Sequence, residues 1–139
     1  MFKQILAGFD GSESSKRAFQ AALHLAAESR GAVVALTVVR APEAAELEGE
    51  VDAALRETNG ALAKAIGWAK QQAQQAGVPC TFRKQIGHPA ELITRVAGEG
   101  PFDLIVIGRR GHSPVKHWLV GSTTDRIVDH APCAVLIVH

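Results

Sequence analysis

Apolar and polar positions fall into blocks along the chain. Within Phe2 to Phe9, the run Ile5-Leu6-Ala7-Gly8 is continuously apolar or small, as in a strand covered on both faces. Asp10-Gly11-Ser12 is a turn signal. From about Glu13 to Arg30, Ala18, Ala22, Leu25 and Ser29 recur at helical spacing, flanked by Phe19, Leu23 and Ala26. This predicts an amphipathic helix, with Gly31 placed to stop it. Ala32 to Val39 reads AVVALTVV, a second buried strand. Arg40 to Gly49 is rich in acidic and small residues and reads as a loop. A long helical pattern follows from about Glu50 to Ala76, with Val51, Leu55, Leu62, Ile66, Ala69, Ala73 and Ala76 on one face. Gly60 and Gly67 each weaken that helix by about 1 kcal/mol relative to alanine. At roughly 40 Å it either overhangs the sheet or breaks near Gly60.

Gly77-Val78-Pro79 turns the chain into Cys80 to Ile86, the most polar of the predicted strands and therefore suited to a sheet edge. Pro89 fits the first position of a short helix carried by Leu92, Ile93, Val96 and Ala97. Asp103 to Gly108 reads DLIVIG, the most apolar strand, and belongs at the centre of a sheet. A loop from Arg109 to Lys116 leads to Gly121-Ser122 and a helix from about Thr123 to His130. There Ser122 followed by Asp125 resembles a capping box. Cys133 to Val138 is the last strand. Five strands alternating with four helices define an α/β fold, an open parallel sheet with helices on both faces, in three layers.

The length of 139 residues suits one domain and suffices to bury a core without disulfides or metal. A hydrophobic content of 47% with 21% charged residues describes a globular chain. The net charge of +1 excludes a generally basic nucleic-acid binder. Two cysteines, Cys80 and Cys133, favour a reducing compartment over a disulfide scaffold. No secretory signal is expected at the start of the sequence, and no apolar run is long enough to insert into a membrane.

Open parallel sheets bind ligands beyond the carboxyl ends of their strands, where strand order reverses. The segments 8–12, 38–40 and 108–111 are expected to meet there. The helix start near Ser122 is expected to offer free N–H groups to an anion, phosphate above all. Gly108, Gly111 and Gly121 surround a loop carrying Arg109, Arg110 and Lys116 and no acid. Asp10 reads either as a turn-capping residue or as a ligand contact, and Ser122 as a helix cap that also holds phosphate. His112 flanks the loop, either touching a ligand or facing solvent. His24, His88, His130 and His139 have no zinc spacing. His24 is expected to pack on the first helix and His88 to cap the third. Cys133 reads as a buried structural thiol. Neither GxxxxGK[ST] nor GxGxxG is present.

Gly108-Arg109-Arg110-Gly111, nine residues, then Gly121-Ser122-Thr123 resembles the nucleotide motif of universal stress proteins of the UspA-like superfamily, in its ATP-binding branch. The segments ILAGFDGSESSKRAFQAA, IGHPAELI and GSTTDRIVDHAPCAVLIV resemble the same family, so the likeness spans nearly the whole chain. It implies the sheet order 3-2-1-4-5, with ATP at the carboxyl edge. Asp10 is then on the ribose or phosphate side, and Val38 meets adenine through its backbone. Gly108, Gly111, Gly121, Ser122 and Thr123 form the phosphate and ribose loop, with Arg109 and His112 beside it. One departure is I-L-A-G-F-D where the family often reads I-L-V-A-V-D: Gly8 leaves room beside a ligand, and Phe9 adds bulk that changes the adenine fit.

Mg2+ or Mn2+ would be bridged through the phosphates, with Asp10 the one carboxylate nearby. No general base other than Asp10 is evident, so the expected activity is at most slow ATP hydrolysis. The resemblance implies a cytoplasmic homodimer. An apolar edge strand, Ala134 to Val138, supplies a physical reason to pair with a second copy. Association beyond the dimer stays open. A regulatory protein acting through nucleotide-dependent interaction is the first reading. A protein-interaction module with a vestigial pocket, acting for example on a transporter, is the second. An adenylate-forming enzyme would need an acceptor domain for which there is little room.

Overall fold

Strands and helices alternate strictly: β1 (Gln4–Gly8), α1 (Glu13–Ser29), β2 (Ala32–Val39), α2 (Glu48–Ala76), β3 (Cys80–Ile86), α3 (Pro89–Glu99), β4 (Leu104–Gly108), α4 (Gly121–His130) and β5 (Ala134–Val138). This computed structural model describes residues 1–39, 48–109 and 121–139, with 48–59, 121 and 122 described by backbone alone. The strands form one parallel sheet in the order β3-β2-β1-β4-β5. The α/β class, the order and the parallel pairing are those expected. The polar β3 is an edge, and the apolar β4 lies inside.

The alternation of side chains along each strand divides the core in two. Ile5, Ala7 and Phe9, with Val33, Ala35, Leu104 and Val106, face Ala18, Phe19, Ala22 and Ala26 of α1 and Ala65, Ala69 and Ala73 of α2. Leu6, Leu36, Ile105 and Ile107 face Ile93, Val96 and Ala97 of α3 and Ile127 of α4. Each large side chain buried this way contributes roughly 1.5–3 kcal/mol. Continuous apolar runs in β1, β2 and β4 follow directly, because both faces are covered.

Several boundaries and contacts differ from the sequence expectation. The first strand begins at Gln4 because Ser29 Oγ bonds the Phe2 carbonyl and Asp103 takes the main-chain N–H groups of Lys3 and Gln4 at 3.0 and 3.2 Å. Asp103 thus clamps the amino edge, at the residue just before β4. The second helix starts at Glu48 rather than Glu50 and runs unbroken through Gly60. Its expected face is occupied at Leu62, Ala69 and Ala73, joined by Ala65, while Ala76 is exposed. Val51 and Leu55, and most of the expected loop at Arg40 to Gly49, lie outside the described residues. The last strand begins at Ala134, leaving Cys133 just ahead of it and half-buried. His24 does not pack on its helix: it is exposed, with Glu28 at 3.8 Å.

The end of α1 is the clearest correction. The left-handed position belongs to Arg30, at φ 58°, not to Gly31. Gly31 is needed for a different reason. A Cβ there would lie 2.7 Å from Lys3 Cα and 2.8 Å from its carbonyl carbon, where the chain enters β2 beside β1. Gly31→Ala is expected to destabilise the fold by about 1–3 kcal/mol. Gly67→Ala meets open space in a helix and is expected to stabilise it by about 0.5–1 kcal/mol. Urea unfolding of both variants checks the opposite signs.

Candidate functional site

In a parallel sheet with helical crossovers every helix runs back against its strands, so all four helices start at the carboxyl edge. Their positive dipole ends therefore share one side of the molecule. Strand order reverses between β1, whose successor β2 lies to one side, and β4, whose successor β5 lies to the other. This reversal is the topology at which open parallel sheets form a ligand crevice.

The loop after β1 is a closed hydrogen-bond circuit. Asp10 Oδ1 accepts from Ser12 N at 2.9 Å, with Gly11 between them at φ 84°. Ser12 caps α1, its Oγ accepting from Ser15 N at 3.1 Å. Ser15 Oγ donates to Ser12 O at 3.0 Å and accepts from Asp10 N at 3.3 Å. Asp10 is therefore a turn-capping residue in fact, and it stands half-buried at the crevice.

Phe9 does not add bulk beside a ligand. It is 2% exposed, and its ring packs 5.6 Å from that of Phe19, inside the layer under α1 and α2. Gly8 leaves no room for a ligand either. A Cβ there would press on Ile107 Cγ2 at 3.2 Å and Ile93 Cδ1 at 3.4 Å, so the space is taken by the α3 side of the core. Strand alternation, which sends neighbouring side chains to opposite helix layers, explains both.

Val38 offers its backbone. Leu36 O accepts from Phe9 N at 2.9 Å, so Leu36 turns its peptide groups toward β1. Two residues on, Val38 turns its N–H and C=O to the same side, beyond the last registered β1–β2 pair, Gly8 with Leu36. Its side chain packs with the α3 layer. Gly108 ends β4 where the first turn of α1 lies against it. A Cβ there would sit 2.7 Å from both the carbonyl carbon and the oxygen of Ser14. Arg109 follows, exposed, its N–H bonded to Val138 O.

The last helix begins at Gly121, earlier than expected. Ser122 is thus the second helical residue, and the cap position falls on residue 120, outside the described residues. Gly111 and His112 also lie outside them. Thr123 is half-buried in the first turn. His88 occupies the cap position of α3 without a side-chain bond. Among the described residues no cluster of three metal-ligating side chains exists. The sequence reasoning missed Ser14 and Ser15. Their signal was present as the serine run after Asp10-Gly11.

The ends of β1, β2 and β4 and the start of α4 bring main-chain groups to one edge of the sheet. The class this defines is a small doubly wound α/β domain. The sequence matches the Universal stress protein family over residues 1–139, and the chain belongs to that family. It is 33% identical over 147 residues to universal stress protein YxiE of Bacillus subtilis, covering 99% of each chain. Among solved structures it resembles universal stress protein UspA of Lactobacillus plantarum, at 30% identity and TM-score 0.78, covering 99% and 98% of the two chains. It also resembles a universal stress protein solved in complex with cAMP, at 27% identity and TM-score 0.77, covering 99% and 97%.

The two thiols take no part in this crevice. Burial pushes the Cys80 thiol up to about 11, partly offset by a hydrogen bond from the Ala35 backbone. Burial and the Asp103 charge raise Cys133. Alkylation of Cys80 by iodoacetamide is expected to rise about tenfold per pH unit from 8 to 10 without levelling, since only the thiolate reacts. A plateau below pH 9 contradicts the buried environment. Asp10→Ala removes the acceptor for Ser12 N and is expected to cost about 1 kcal/mol in urea unfolding, with Asp10→Asn recovering most of it.

Proposed function

We propose that this protein is an ATP-binding regulatory protein of the stress response, acting through nucleotide-dependent protein interaction. The observation that carries the reading is the placement of the Asp10 turn, the Val38 backbone and the start of α4 at one edge of the sheet, where strand order reverses. That start lies at the second half of the Gly108-to-Ser122 glycine spacing. Val38 receives the adenine edge through its N–H and C=O, and Asp10 stands at the ribose or phosphate side. Gly108, Arg109, Gly111, His112, Gly121, Ser122 and Thr123 form the phosphate loop. The cAMP complex of a relative at 27% identity supports an adenine nucleotide in this place. Mg2+ or Mn2+ enters with the phosphates. Its chemistry is charge neutralisation of the ligand, and Asp10 is the carboxylate at hand for it.

The same reading includes a cytoplasmic homodimer. Strand β5 is an edge, and Leu136 is 37% exposed on it. An apolar edge with unpaired backbone groups is satisfied by the same strand of a second copy. Nucleotide in the loop after β4, next to β5 in the sheet, then alters a surface that a regulated protein reads. Activity beyond binding is at most slow ATP hydrolysis: Asp10 is the carboxylate at hand, and its Oδ1 already accepts a turn hydrogen bond.

Native mass spectrometry of the purified protein, followed by titration with ATP and Mg2+, tests the ligand. Retained or added ATP at one per chain is expected. Gly121→Val is expected to weaken it at least about tenfold by crowding the helix start. A chain that takes no nucleotide leaves the interaction-module reading in its place. Leu136→Lys is expected to convert a dimer to monomer in sedimentation velocity, whereas a wild-type monomer contradicts the dimer.

A further inference from the structure

The second half of α2 and the whole of β3 carry charge of one sign. Between Glu57 and Glu91 the sequence holds Lys64, Lys70, Arg83 and Lys84 and no acidic residue. All four cations are exposed. Among the described residues the ion pairs join Lys16 to Glu13, His24 to Glu28 and Arg95 to Glu91, so none involves Lys64, Lys70 or Arg83. Lys70 Nζ lies instead 5.7 Å from the centre of the Phe82 ring. Beside that ring is an open cavity of about 200 Å³, lined by Lys70, Ala73, Gln74, Val78, Cys80 and Phe82. No residue of β2 lines it, so it opens at the outer side of β3. Its volume is below the roughly 300–1,000 Å³ of small-molecule pockets and suits a single apolar side chain.

Strand β3 is also an edge of the sheet. Val33 N bonds Pro79 O, Gly87 N bonds Val39 O, and Val33 is registered with Cys80. Alternate residues of a strand turn both main-chain groups to the same side. Thr81, Arg83 and Gln85 therefore turn theirs to β2, and Cys80, Phe82, Lys84 and Ile86 turn theirs outward. The side chains of Cys80 and Phe82 lie on the α2 face of the sheet. Ile86, further along the same face, is 68% exposed. A strand added at this edge gains main-chain hydrogen bonds and sends alternate side chains to the face that holds the cavity. Exposed cations on an edge strand deter pairing with the same strand of a second copy. The same charge favours a strand of opposite sign.

We propose that the open edge of β3 docks an extended acidic peptide of a partner protein by strand addition. One apolar side chain of the peptide enters the cavity beside Phe82, and its carboxylates meet Lys70 on the α2 face and Arg83 on the other. This edge lies at the far end of the sheet from β5, so it stays open in a dimer formed through β5. The inference stands without the nucleotide reading.

Selection of a phage-displayed random peptide library on the wild-type protein tests the proposal, followed by anisotropy titration of the selected sequence as a labelled synthetic peptide. The selected peptides are expected to carry an apolar residue flanked by Asp or Glu. Lys70→Glu reverses the charge and Gln74→Trp fills the cavity, both from exposed positions. Each is expected to weaken the peptide at least about tenfold, whereas Arg95→Glu on α3 is expected to change it by less than about twofold. Circular dichroism confirms that the variants fold. Bound peptide is also expected to slow iodoacetamide alkylation of Cys80, read by mass spectrometry, and to leave Cys133 unchanged. A library that yields no acidic sequence, or equal affinity in all three variants, overturns the proposal. So does polyglutamate that binds as tightly as the selected peptide and leaves Cys80 unprotected. Oligo(dT) binding that is lost in Lys70→Glu, with no peptide selected, assigns the face to nucleic acid. Self-association abolished by Gln74→Trp, with no peptide selected, assigns it to a second copy. Both of these results overturn the proposal.

Discussion

The approach of α1 to the end of β4 is the constraint on which the crevice depends. Its first turn lies so close to Gly108 that a Cβ would meet the Ser14 carbonyl at 2.7 Å. This contact crosses the point where strand order reverses. It fixes the first turn of α1, and with it the turn after β1, against the end of β4. A side chain at Gly108 would push α1 away from that strand end.

The rest of the molecule supports that contact from below. At the amino edge Asp103 holds Lys3 and Gln4, and Lys3 O accepts from Ala32 N at 2.8 Å. Three adjacent strands, β2, β1 and β4, are thereby tied in register at their entry. Above that edge Phe9, Phe19 and Phe82 form a connected set of rings with Trp68, over which Lys16 Nζ lies at 5.4 Å. These aromatic contacts join α1, α2 and β3 into one layer. The carboxyl edge is therefore carried by elements packed into one core.

The main-chain character of the carboxyl edge also explains why the candidate site has so few diagnostic side chains. A turn held by Asp10, Ser12 and Ser15, a strand end at Val38 and a helix start at Gly121 present peptide groups, which any residue carries. Side-chain identity matters mainly where space is short, as at Gly108, or where a left-handed turn is required, as at Gly11.

How far the sequence alone reaches can be read from particular elements. The alternation of strand and helix, the edge character of β3 and the interior place of β4 were legible, because covering a strand on two faces, one face or an edge leaves different apolar patterns. The Asp10-Gly11-Ser12 turn and the glycine spacing after β4 were legible because turn chemistry is local. Which helix layer a given strand residue enters was not, so Phe9 and Gly8 were read as ligand neighbours when both serve the core. Gly31 was read as a helix stop, whereas it makes room for the backbone of Lys3, 28 positions away in the sequence. The amino-edge clamp of Asp103 and the meeting of Arg17 with His139 join segments about a hundred residues apart. Periodicity and turn preference act within a few residues and determine the elements. Distances between elements arise only when the sheet closes its order, and those distances decide which glycines, carboxylates and cations face one another.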